Sequence, residues 1–187
     1  MAHSIDQLIE SLAITITEAR WHFQVWEALQ EARSDEASLE AMNRYKEFFV
    51  PTMSAHFEST IVACYQLLET RDDTVSFSTL KKALKDIEKR DLDQEQPMAG
   101  IQRDIHPIWI KIARLRNQAV GHVSSEKPQS EIFAQADLKP QDIWTFIDLS
   151  IRLHQGITYP RSQTIEGFNI NGKPATAHLI KMLCTHR

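Results

Sequence analysis

Residues 4–23 read SIDQLIESLAITITEARWHF. Ile5, Leu8, Ile9, Leu12, Ile16, Ala19 and Phe23 fall three or four apart, the spacing that gathers side chains on one face of an α-helix. Ser4 stands at the N-cap position, where its hydroxyl can accept from an amide that has no intrahelical partner. Trp21, Trp26 and Leu29 carry the helix on towards Ala32. A stripe this long must be covered by other elements, and the same period recurs in most of the chain.

Working outward, Ser34 and Asp35 cap a second helix expected to pass through Phe49, Met53, Phe57, Ile61, Cys64 and Leu68, with a kink or break at Pro51. A shorter helix follows Ser78 through Leu80, Leu84 and Ile87, and residues 91–100 read as a polar loop. Ile101, Ile105, Ile108, Trp109, Ile112, Leu115 and Ala119 mark the next helix, whose regular part is expected to begin at Pro107. Residues 124–136 are a polar connection. Residues 139–156 are helical again, with Ile143, Phe146, Ile147 and Leu153 on one face. The tail differs: Asn171-Gly172 is a hairpin-turn signal, followed by a terminal helix expected over 174–184. The expected fold is all-α. An antiparallel helical bundle occupies residues 1–156, and a C-terminal extension over 157–187, a small hairpin plus a terminal helix, packs on it.

Composition agrees. The 187 residues are 42% hydrophobic and 25% charged, which suits one globular domain. Only 5 Gly and 7 Pro argue against a many-turned β-sandwich. The net charge of −4 rules out a generic polyanion binder, so any nucleic-acid contact must come from a local basic patch. Two cysteines, Cys64 and Cys184, cannot build a disulfide framework, and a reducing cytoplasm is the expected setting. The start, MAHSIDQLIESL, lacks the basic and apolar regions of a signal peptide. No apolar run approaches the ~18 residues needed to span a bilayer, so no membrane partner is expected.

The most unusual stretch is Arg114-Leu-Arg-Asn-Gln-Ala-Val-Gly-His122. On an ideal wheel Arg116 falls inside the apolar stripe, one turn after Ile112, and His122 falls just outside its opposite edge. A cation on a face that should be buried is costly unless it is paired, or faces a cleft or a partner. Gly121 is a natural C′ residue that would turn His122 back towards Arg116. An Arg and a His converging on one spot suit cleavage of an RNA phosphodiester. The guanidinium offers a planar fork of donors for phosphate oxygens, and imidazole titrates where it can move the proton of a 2′-hydroxyl or a leaving oxygen. Asn117 can position the phosphate or orient the histidine. No metal or cofactor is required by such a set. Arg103, Lys111, Arg114 and Arg116 stand against Asp104 alone, a local net of +3 and a candidate RNA-binding patch. Arg116 can equally be a helix-end cation that snorkels past its apolar neighbours.

RNQAVGH over residues 116–122 resembles the Arg-Asn/polar-x(3–5)-His signature of the HEPN superfamily. It is most similar to the AbiU-type abortive-infection branch, whose pattern is Arg-Asn-Lys-x-x-Ala-His. Arg116, Asn117 and His122 match; Gln118 replaces the Lys and Gly121 the Ala. Val123-Ser124-Ser125 stands where that branch often has an Asp. The layout is similar too, with a long helix to Leu68, then Arg71-Asp72-Asp73 and a Ser-rich helix start at Ser76-Phe77-Ser78. The likeness spans residues 10–155. It implies a metal-independent endoribonuclease of a defence or toxin–antitoxin system, with Arg116, Asn117 and His122 catalytic. It also implies a homodimer with RNA as substrate and, in such systems, an antitoxin protein as partner. Two alternatives stand beside it: a non-catalytic HEPN-type module binding RNA, a nucleotide or a protein, and a structural helical dimer in which Arg116 pairs with an acid.

Weaker candidates have plainer readings. His178, Cys184 and His186 fit no common zinc spacing. Trp21, His22 and Trp26 could stack on bases but suit core or dimer contacts. His106 reads as a helix-start residue, and Asp72 and Asp73 as loop and capping residues.

Overall fold

The structure is a computed structural model that describes residues 4–120, 135–161, 168 and 170–185. Its first helix, α1 (Ile5–Ala32), starts at Ser4 with reciprocal caps. The Gln7 amide donates to the Ser4 hydroxyl at 3.2 Å, and the Ser4 amide donates to the Gln7 side chain at 2.9 Å. Such caps contribute on the order of 1 kcal/mol by satisfying amides at the helix start. All seven residues of the sequence stripe are buried.

Asp35 caps α2 (Glu36–Arg44), and α3 (Lys46–Leu67) follows after Tyr45. The break expected at Pro51 therefore lies at Tyr45, whose backbone leaves the helical region at φ −118° and ψ 38°. Pro51 sits inside α3 near its start, where its missing N–H removes a single helical bond. Ser76 caps α4 (Phe77–Glu88) through a reciprocal pair with Thr79.

The next helix, α5, spans Met98–Leu115 and carries Pro107 in its interior. The expected start at Pro107 is thus corrected to Met98. Pro107 deprives only the Arg103 carbonyl of its donor, and both residues lie on the exposed face, where water can replace it. Pro140 opens α6 (Pro140–Thr158) at its first position, which needs no N–H.

The last helix, α7 (Gly172–Thr185), replaces the expected hairpin at Asn171-Gly172. Gly172 is there for close approach rather than for a turn. Its amide donates to Gln24 of α1 at 2.8 Å, and a Cβ at this site would meet the Trp21 indole at 2.6 Å.

The architecture is an all-α bundle, and every regular element among the described residues is helical. Helix α1 lies against α3, α6 and α7, while α5 packs on α6 and α3. The core joins Leu12, Ile16 and Phe23 of α1 to Ile61, Leu84, Ile112 and Phe146 from the surrounding helices, all fully buried. Each such side chain contributes roughly 1.5–3 kcal/mol through burial. Among the described residues no helix is long and apolar enough to cross a membrane.

Candidate functional site

The site grows from the C-terminal end of α5. Ile112 and Leu115 are buried, and after Leu115 the helix widens into a π-helical turn, Arg116–Val120. An i→i+5 turn fits more residues per turn than the α-helix, so it re-aims the side chains that an α-wheel would place directly below Ile112. The widened turn coincides with the Arg-Asn-Gln run.

Arg116 is half-buried, with its guanidinium carbon 4.7 Å from the centre of the Tyr65 ring in the last turn of α3. Trp109 stacks on the same ring at 5.8 Å between centroids and 16° between planes, and its indole N–H donates to the Tyr65 carbonyl at 3.0 Å. Arg116 Nη1 donates to Asn117 Oδ1 at 3.0 Å. The cation on the apolar stripe is therefore accommodated by an aromatic face, an interaction of about 0.5–2 kcal/mol depending on desolvation. An acidic partner for Arg116, the structural alternative, is not found among the described residues. Gln118 Oε1 is buried there with no hydrogen-bond partner among the described residues. The structure brings Arg116 and Asn117 together. Gly121, His122 and the connection over 121–134 lie outside the described residues, as does His186.

The basic patch divides. Lys111 sits 3.0 Å from the Asp142 carboxylate and 3.7 Å from that of Asp137, and also donates to the Asp137 carbonyl at 2.8 Å. Burial pushes the Asp142 carboxyl up, but the Lys139 amide and Lys111 pull harder and hold it below the usual carboxylate range. Arg114 Nη1 donates to the Gln135 carbonyl at 2.7 Å, and among the described residues no carboxylate compensates its charge. Arg103 is largely exposed and stands 3.9 Å from Asp104.

Two features had no readable signal. Nothing in the sequence pairs Tyr65 with Arg116, because periodicity assigns faces and not which faces meet. Nor does it pair His22 of α1 with His56 of α3, whose Nδ1 atoms lie 2.8 Å apart. Burial, and then the neighbouring His22, push the His56 pKa down. Among the described residues no group of three His, Cys, Asp or Glu side chains could hold a metal. His178 and Cys184 both lie on α7, where the Cys184 thiol donates to the Ile180 carbonyl at 3.2 Å. Trp26 packs between Phe23 and Phe57. Asp72 and Asp73 pair with Lys82 and Arg71.

The family HEPN_AbiU2, described as AbiU2, matches over residues 3–159, a span that contains the Arg116–Asn117 pair and His122. No curated protein and no solved structure matches the chain.

Proposed function

This chain belongs to the HEPN_AbiU2 family, and on that premise we propose that it is a metal-independent endoribonuclease of a defence or toxin–antitoxin system, acting as a homodimer. The observation that carries the reading is the Arg116 guanidinium. It is held on the Tyr65 ring and against Asn117, and among the described residues no carboxylate compensates it. A cation so placed is ready for an anion, and a planar fork of donors fits the non-bridging oxygens of a phosphodiester.

The reaction follows from that group and from His122, six residues on in the sequence. The ribose 2′-oxygen attacks phosphorus and loses its proton, the bond to the 5′-oxygen breaks, and that oxygen gains a proton. The products are a 2′,3′-cyclic phosphate and a 5′-hydroxyl. His122 moves the protons, as an imidazole can both accept and donate one. Arg116 neutralises charge that grows on the phosphoryl oxygens in the transition state. Asn117 orients the guanidinium. A second copy would cover the Arg116 surface and supply a second imidazole, so that one can accept a proton while the other donates one.

The test is cleavage of single-stranded RNA in EDTA, with product ends identified. Cyclic-phosphate ends, intact DNA and insensitivity to EDTA support the reading. His122→Ala should abolish cleavage and leave RNA binding largely intact. Arg116→Ala should weaken both, with a rate loss on the order of 10²–10³. Arg116→Lys should rescue little, because an ammonium lacks the bidentate fork. Wild-type protein that binds RNA but cuts none gives the non-catalytic module instead. A folded His122→Ala that cuts at the wild-type rate overturns the assignment.

A further inference from the structure

The stack that holds Arg116 continues away from it. Tyr65 lies between the guanidinium and Trp109 in this chain of contacts, and His106, one turn back along α5, meets the Trp109 ring at 6.0 Å and 34°. Beyond Trp109 opens a groove of about 460 Å³ between α5 and the segment from the end of α3 to the start of α4. Trp109, His106, Arg103, Gln102, Ser78 and Thr70 supply its ring and polar groups. Two features prepare it for a planar ligand. The Trp109 ring is immobilised by its hydrogen bond to the Tyr65 carbonyl. Among the described residues the Gln102 amide makes only long bonds, 3.4 Å to the Leu92 carbonyl and 3.5 Å from Lys81, so its donor and acceptor can turn to a better partner.

We propose that this groove seats one unpaired nucleobase of single-stranded RNA, stacked on Trp109, beside the phosphate that Arg116 would hold. The inference rests on the ribonuclease reading and names its substrate class. A base presents an aromatic face and a rim of donors and acceptors. The groove offers a fixed ring with His106 at its side, and an amide and hydroxyls at its edge. Arg103, a largely exposed lining residue, can meet the neighbouring phosphate. A base inside a duplex has both faces covered and cannot enter, so duplex RNA is a poor ligand.

The experiment measures affinity for a short single-stranded RNA that the wild-type protein cuts, made resistant by a 2′-deoxy sugar at the cut. Abasic positions are placed in turn on either side. One such position should weaken binding about tenfold, the usual worth of one stacked base. Trp109→Leu should weaken the intact RNA by a similar factor and become indifferent to that abasic position. His106→Ala and Gln102→Ala should lie between, and they carry the same comparison if Trp109→Leu does not fold. If every abasic RNA binds wild-type protein as tightly as the intact one, the base site is wrong while the nuclease stands. If the protein neither binds nor cuts RNA, both fall.

Discussion

The guanidinium of Arg116 rests 4.7 Å from the centre of the Tyr65 ring, so the last turn of α3 fixes a cation that belongs to the end of α5. That relation makes Tyr65 a positioning residue. The ring face attracts the cation without neutralising it, unlike a carboxylate, and takes none of its N–H donors; Nη1 donates to Asn117, and the others remain for a phosphate.

Replacing Tyr65 should therefore act through Arg116. Tyr65→Phe keeps the ring and should leave RNA cleavage within about twofold of wild type. Tyr65→Leu removes the π face and frees the guanidinium to wander, with a loss of about five- to tenfold in kcat/KM, corresponding to roughly 1 kcal/mol. Steady-state cleavage of one RNA by the three proteins checks this. Equal losses for Phe and Leu would show that the hydroxyl, not the ring, matters.

The charge patch should also divide in solution. Lys111 is compensated by Asp142 and Asp137, whereas among the described residues Arg103 and Arg114 are not compensated to that degree. Lys111→Gln should lower stability modestly, by unpairing Asp142, and leave the salt dependence of RNA binding unchanged. Arg103→Gln or Arg114→Gln should each reduce the slope of log Kd against log salt by about 0.7, one contact's worth on a single strand. Titrations at several salt concentrations decide it. A shallower slope for Lys111→Gln would show that the lysine leaves its carboxylates for RNA.

Much of this was legible in the sequence. The stripe from Ile5 to Phe23 is buried as its spacing required, Asp35 caps its helix, and Arg116 stood out as a cation on an apolar face. The failures share a cause: local rules were applied where tertiary packing decided. Pro51 reads as a kink or break and Pro107 as the start of a regular helix, yet both lie inside helices that bury the nearby Phe49 and Ile105. Gly172 was read as a turn because what it serves, the Trp21 indole, lies on another helix. Tyr65 was invisible for the same reason.

Gly172 gives a packing test. Gly172→Ala puts a methyl into the Trp21 ring at the point where the Gly172 amide bonds Gln24, and should destabilise the fold by about 1–3 kcal/mol through overpacking. Trp21→Ala in the same chain should relieve the clash, so the double variant should lose less than the two single losses added together. Chemical denaturation of the four proteins measures this. Strict additivity would mean that α7 does not dock on α1 through this contact.

Acid should destabilise the fold before the carboxylates titrate. His154 is buried in α6, with its Nε2 donating to the Ile9 carbonyl at 3.0 Å and its Nδ1 buried with no hydrogen-bond partner among the described residues. Burial pushes its pKa below the ordinary 6.5, against the pull of the Ile9 carbonyl. The unfolded chain therefore takes up this proton at a higher pH than the folded chain. Stability is complete above about pH 6.5 and declines as pH falls below it, until the folded ring also protonates. His56, lowered by burial and by His22, acts in the same direction. Asp35, Asp91 and Asp142 are held below the usual carboxylate range, so their losses come at lower pH. His154→Gln should be less stable near pH 7.5, because the Ile9 carbonyl loses its fitted donor, yet it should lose less further stability on going to about pH 5. Denaturant midpoints at both pH values, for wild type and variant, provide the measurement. An equal acid loss in the two proteins would assign the pH dependence elsewhere, with His56 the next residue to replace.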